Sequence, residues 1–176
     1  MKFTATKIPG AWVMEVERRT DERGYFGRSW CERELAERGL SSRIAQINTT
    51  VSAKAGTMRG MHYQLAPCAE VKIMRCHRGA AYDVIVDLRP DSVTYLNWFG
   101  IELTAESGTM LYAPEGCAHG CLSLRDDTEL SYTTSQFYAP DAARGMRHDD
   151  PAIGIQWPGD VHIVSAQDRS WPDHGK

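Results

Sequence analysis

Two histidines stand out as groups that could move protons. His62 sits in Arg59-Gly60-Met61-His62-Tyr63-Gln64 and is followed by Glu70-x-Lys72. His119 sits in Pro114-Glu115-Gly116-Cys117-Ala118-His119-Gly120, about sixty residues later. Both contexts are rich in turn residues, and the sequence between them is strand-like. That arrangement suggests one pocket inside a β-barrel. A metal-binding barrel would normally carry a second histidine two positions after the first, and Gln64 stands there instead. With Lys72 close by, the set favours proton chemistry, in which a base works beside groups that hold an anion.

Each candidate has a plain alternative. His62 alone could be a satisfied structural histidine, but Gly60, Arg59 and Lys72 surround it in sequence. Strand alternation puts Lys72, Met74 and Cys76 on one face and Val71, Ile73 and Arg75 on the other. An inward Lys72 needs a partner or an anionic ligand, because an unpaired buried charge is costly. His119 opens a strand whose face it shares with Cys121 and Ser123, and Tyr132 shares a face with Leu130 and Thr134. Buried tyrosines are usually core residues with a satisfied hydroxyl. Asp168, in Ser165-Ala166-Gln167-Asp168-Arg169, reads by pattern as a solvated loop residue.

The elements that must hold these groups are mostly strands. Ile73–Cys76, Ala81–Leu88, Trp98–Leu103, Thr109–Ala113, Cys121–Leu124 and Thr128–Thr134 are strand candidates. Within Ala81–Leu88, Tyr82, Val84, Val86 and Leu88 form one face, and Asp83, Ile85 and Asp87 the other. Turns at Arg78-Gly79, Arg89–Ser92, Glu106–Gly108, Pro114–Gly116 and Arg125–Asp127 separate them. One helix is expected, capped by Ser29 with Glu32 in the capping-box position and ended by Gly39. The tail after residue 149 reads as irregular. Many short strands at roughly ten-residue spacing imply an all-β sandwich or jelly-roll barrel with few helical residues.

Length and composition narrow the function. A chain of 176 residues suits a single domain spanning 1–176. The net charge of −3 argues against a nucleic-acid-binding surface. No apolar run has the length of a signal peptide or membrane span. The five cysteines form no C-x-x-C pair, which fits reduced thiols in a cytoplasmic protein.

An ordered series of motifs resembles the dTDP-4-dehydrorhamnose 3,5-epimerases, a family of the cupin fold. The series begins with Asp21-Glu22-Arg23-Gly24-Tyr25-Phe26, Gln46-x-Asn48, Gly56–Gln64 and Lys72. It continues with Tyr82–Arg89, Pro114–Gly120, Tyr132, Phe137–Pro140, Arg144-Gly145, Asp149–Ile153 and Trp157-Pro158. The resemblance implies a cupin-type jelly-roll barrel and an isomerase that inverts C3, C5 or both in a nucleoside-diphosphate 4-keto-6-deoxyhexose.

By the same resemblance, His62 is the base, Asp168 orients its ring and Tyr132 is the opposing acid. Lys72 and His119 meet the sugar and its developing oxyanion. Arg23 and Arg59 hold the diphosphate, Gln46 and Asn48 line the nucleotide site, and Tyr138 stacks on the base. The implied enzyme needs no metal or redox cofactor. It is a homodimer in which Arg23 reaches the neighbouring subunit's site.

The chain departs from the family pattern at Arg28 and Ala143, where glutamates are usual, and at Gln167, where a lysine is. Phe137 replaces a common tyrosine, and one extra residue precedes Arg59. The nucleotide is therefore less fixed than the proton chemistry. Two other readings compete. One is a metal-dependent cupin enzyme using His62, Glu70 and His119 as a two-histidine, one-carboxylate set. The other is a non-catalytic sugar-nucleotide-binding barrel.

Overall fold

The computed structural model describes residues 1–174. Strands β1 (Lys2–Ala5), β2 (Trp12–Glu15), β3 (Arg19–Asp21) and β4 (Gly24–Phe26) precede a short helix, α1 (Glu32–Ala36). Next come β5 (Gln46–Ser52), β6 (Thr57–Gln64), β7 (Lys72–Arg78), β8 (Ala80–Asp87) and β9 (Trp98–Thr104). They are followed by β10 (Met110–Ala113), β11 (Cys117–Ser123) and β12 (Thr128–Thr134), then β13 (Ala143–Gly145), β14 (Ile163–Val164) and α2 (Ala166–Ser170). The first sheet runs β1-β2-β10-β7-β12-β5. The second runs β13-β6-β11-β8-β9, with β14 also on β6, and β3-β4 form a separate hairpin. The result is a cupin-type jelly roll, as the strand spacing and the resemblance implied.

Alternation decides which residues each sheet turns inward. Met74 and Cys76 of β7, Ile85 of β8, Leu111 of β10 and Leu130 of β12 meet in the core between the sheets. The other face of β8, with Val84 and Val86, packs under Met146, Ile153, Ile155 and Trp157 from the C-terminal stretch. Leu35 of α1 covers Met14, Ile73 and Met110 on the outer face of the first sheet. That cover stops short of β5, where Ile47 and Val51 are 68% and 46% exposed.

Several expectations need correction. The helix starts after Cys31, which makes no side-chain cap, and Ser29 lies outside it. Its end is as expected: Gly39 adopts φ +68°, donates to Ala36 O, and Leu40 donates to Leu35 O, a left-handed C-terminal cap. The turn residues around the two histidines do not interrupt their strands, and His119 does not open its strand as expected. His62 and His119 are mid-strand and face each other in register across β6 and β11. The tail is more regular than its composition suggests, because β14 pairs with β6 and α2 follows it.

One irregularity in β6 matters for the site. His119 pairs with His62, but Cys121 pairs with Arg59, so three steps on β6 match two on β11. This β-bulge changes the phase of alternation and turns Arg59 and His62 toward the same cavity. Gly60 permits it. Its φ is +108°, and a Cβ there would stand 2.7 Å from both Gly120 Cα and His119 O.

Candidate active site

The space between the sheets opens at one end. An outer cavity of about 370 Å³ is bordered by Gln46, Asn48, His62, Lys72, Tyr132 and Tyr138. A deeper one of about 180 Å³ shares His62, Lys72 and Tyr132 and adds Arg59 and His119. The expected site residues therefore gather around one space, with two qualifications. Asp168 acts from behind His62, and Arg23 is elsewhere. Arg23 sits on the exposed β3–β4 hairpin with its guanidinium 2.6 Å from Asp21.

On the second sheet, His62 Nε2 lies 2.6 Å from Asp168 Oδ1. A carboxylate cannot donate, so Nε2 carries the proton and Nδ1 remains as the basic nitrogen. Asp168 is no solvated loop residue. It is 5% exposed, lies in α2, receives the Gly60 N–H on its other oxygen, and its own N–H is capped by Ser165 Oγ. The surrounding protein lowers the His62 pKa below the ordinary histidine value by burial, against the pull of Asp168 toward the imidazolium; Lys72 and His119 lower it further. The ring is thus a neutral acceptor at neutral pH. His119 Nε2 is 2.8 Å from Oδ1 of the fully buried Asp83.

On the first sheet, Tyr132 of β12 pairs with Asn48 of β5, and Thr134 pairs with Gln46 on one side and Lys72 on the other. This register aligns Gln46, Asn48, Lys72 and Tyr132 along the inner face. Burial raises the Tyr132 pKa, helped by the charge of Glu70, which keeps the phenol protonated. Lys72 points inward and has a partner: its Nζ is 3.0 Å from Glu70 Oε1. Arg59 is steadied by Ser52 Oγ and Val51 O, at 3.1 and 2.9 Å. No carboxylate is paired with it among the described residues, which leaves its charge available to an anion.

Gln64 has a structural task. Its amide donates to Cys68 O and Phe137 O and accepts from Ala139 N–H, bracing the loop that carries Tyr138. Gln46 Oε1 accepts the Tyr138 N–H at 3.1 Å. The metal alternative loses its geometry here. Among the described residues no three His, Cys, Asp or Glu side chains form a metal-binding group, and His62, Glu70 and His119 are each engaged with a different partner.

Sequence reasoning did not single out Tyr63, Arg144 or Trp171, which also border the outer cavity. It put Asp83 on one face of its strand with Ile85 and Asp87 without assigning that face to the interior; the structure turns it inward, against His119. Of the departures from the family pattern, Ala143 and Gln167 border the cavity, whereas Arg28 pairs with Glu34 outside it.

Comparison with known proteins agrees with this geometry. The family model described as dTDP-4-dehydrorhamnose 3,5-epimerase matches residues 5–175. A dTDP-4-dehydrorhamnose 3,5-epimerase of Sinorhizobium fredii is 40% identical, over 98% of this chain and 89% of that protein. A dTDP-4-dehydrorhamnose 3-epimerase of Streptomyces niveus is 36% identical, over 96% of this chain and 82% of that one. The crystal structure of the 3,5-epimerase from Bacillus anthracis, with TDP and PPi bound, superposes with a TM-score of 0.93 at 37% identity, covering 98% of each chain. With a cavity walled by His62, Lys72 and Tyr132 and this likeness along nearly its whole length, the chain belongs to the dTDP-4-dehydrorhamnose 3,5-epimerase family of isomerases.

Proposed function

We propose that this epimerase acts on a dTDP-linked 4-keto-6-deoxyhexose and inverts C3 and C5 through one base and one acid. The observation that carries this reading is the placement of base and acid on opposite sheets. His62 with Asp168 lines one wall of the cavity, and Tyr132 with Lys72 lines the other.

The C4 ketone acidifies the neighbouring C–H bonds. His62 Nδ1 takes the proton, and the bonding electrons move to the C4 oxygen as an enolate. Lys72 stabilises that charge as it forms, and Asp168 stabilises the imidazolium. Tyr132 then delivers a proton to the carbon from the opposite face. Exchange with solvent restores the neutral imidazole and the phenol, so no atom is gained or lost overall. His119 contacts the sugar, Arg59 holds the diphosphate, Gln46 and Asn48 line the nucleotide end, and Tyr138 stacks on the base. Thymidine is favoured by the relatives' nucleotides, although Ala143 and Gln167 alter that end of the cavity.

The whole chain acts as one unit and forms a homodimer. The bare face of β5 and the exposed Tyr25 and Phe26 of the β3–β4 hairpin support an interface that takes Arg23 into the partner's cavity. A cytoplasmic setting fits the five free cysteines, and among the described residues no helix is long and apolar enough to cross a membrane.

Proton NMR in D₂O with dTDP-4-keto-6-deoxyglucose tests the reading. The C3 and C5 signals should vanish with the wild type and persist with His62→Ala. Tyr132→Phe should exchange protons without accumulating the inverted sugar. Exchange that survives in His62→Ala would refute the single-base assignment. A silent wild type would direct the test to CDP-, GDP- and UDP-linked keto sugars.

A further inference from the structure

We propose that Glu70 is a positioning residue of this site: its carboxylate holds the Lys72 ammonium at the cavity wall and balances its charge until the enolate oxygen arrives. The inference rests on the epimerase reading above.

Lys72 opens β7 and Glu70 stands two positions before it, and both side chains border the outer cavity. Their backbone is pinned there. Val71 donates its N–H to Ser135 Oγ and accepts the Ser135 N–H on its carbonyl. The side chains are 10% and 11% exposed, and the carboxylate and ammonium are 3.0 Å apart. Neither has another ion-pair partner among the described residues. A salt bridge that served only the fold could lie anywhere in the barrel. This one borders the outer cavity together with His62 and Tyr132.

The pair solves a problem that a lone ammonium would create. An uncompensated cation in so enclosed a place is costly and tends to lose its proton. It would also oppose the imidazolium that must form on His62, and Lys72 already acts on His62 in that direction. With Glu70 in place, the resting pair is close to neutral. When the ketone oxygen becomes negative, the same ammonium can serve both carboxylate and enolate. The titratable and charged groups around the cavities that the pair borders are His62, Arg59 and Tyr63 from β6, His119 from β11, Tyr132 from β12, Arg144 from β13 and Tyr138 from the loop after β12; β5 contributes the neutral Gln46 and Asn48.

Removing the carboxylate charge should therefore act on base and acid together. In Glu70→Gln the bare Lys72 charge makes His62 less basic, so the acidic limb of the kcat/KM profile moves to lower pH. Tyr132 loses a neighbour that raises its pKa, so the alkaline limb also moves to lower pH.

The test is epimerisation kinetics from pH 5 to 10 on wild type, Glu70→Gln, Glu70→Asp, Lys72→Met and the double variant Glu70→Gln/Lys72→Met. We expect Glu70→Gln to shift both limbs down by about 0.5–1 unit and to lower kcat about tenfold, with KM changed less than about threefold. Glu70→Asp keeps the charge and should keep both limbs while losing part of kcat. In the Lys72→Met background, Glu70→Gln should cost no further kcat beyond about twofold, because the group it positions is gone. Unmoved limbs in Glu70→Gln, or fully additive losses in the double variant, would overturn the proposal. If Glu70→Gln fails to fold, Glu70→Asp decides: a shift in its limbs would overturn the proposal. Wild-type activity measured alongside separates the two levels, since an inactive wild type contradicts the epimerase reading itself.

Discussion

Replacing Asp168 by asparagine would remove one charge and almost no volume, yet it would disturb both ends of a buried hydrogen-bond pair. The carboxylate accepts from two donors, His62 Nε2–H at 2.6 Å and Gly60 N–H at 3.3 Å. Asparagine offers one acceptor and one donor. If its oxygen faces His62, its amide confronts the Gly60 N–H in a buried spot. If its amide faces His62, Nε2 must accept, the proton moves to Nδ1, and the base is lost. The first orientation forfeits a buried hydrogen bond, at about 1–3 kcal/mol, and the second keeps both bonds but fixes the wrong tautomer; in either case the imidazolium loses a charged partner worth about 1–2 kcal/mol more. At about 1.4 kcal/mol per factor of ten, kcat should fall roughly 10²–10³-fold.

The pH dependence supplies a sign. Asp168 raises the His62 pKa against burial. Without it the pKa drops further below the ordinary histidine value. A base works only when deprotonated, so the acidic limb of kcat/KM should move to lower pH even as the rate falls. Rates followed by deuterium incorporation at C3 and C5 from pH 4.5 to 9 would show both effects. A kcat within about threefold of wild type, or a limb that moves to higher pH, would refute the assignment of Asp168 to the His62 ring.

Two other substitutions probe the bulge and the hairpin. Gly60→Ala forces a Cβ into the backbone of Gly120 and His119 at φ +108°, neither of which can give way cheaply. It should cost about 2–4 kcal/mol and lower the thermal midpoint by roughly 5–15 °C, with activity lost even in the folded fraction; a wild-type midpoint would contradict the bulge. For Arg23, mixing inactive Arg23→Ala and His62→Ala subunits should restore about a quarter of wild-type sites if the arginine serves its neighbour. No restoration, or a monomer in sedimentation, would place Arg23 outside the partner's site.

The sequence was most readable where period-two alternation ran unbroken between turn residues. Thr128–Thr134 is the strand expected, and Lys72 shares a face of β7 with Met74 and Cys76 as alternation implied, a face the structure turns inward. It was least readable where alternation breaks. Across the bulge, Arg59 and His62 differ in parity yet border one cavity, and no count by twos can find that. Asp168 escaped for another reason. Its helix is five residues long, too short to show a helical period, and its burial depends on a strand more than a hundred positions earlier. The hairpin strands β3 and β4 are short and exposed on both faces, so they lack the apolar pattern by which strands are recognised.

Because His62 stands on one sheet and Tyr132 on the other, the separation of the two sheets acts as a caliper on whatever ring lies between them. Its jaws are spaced by side chains that never meet the substrate. Ile85, Leu103 and Leu111 fill the gap beneath the cavity. A methylene added or removed among them changes the opening as well as the packing. The fit of a hexose edge-on between His62 and Tyr132 is therefore written partly in the hydrophobic interior. Variation there would change that fit while leaving His62 and Tyr132 in place.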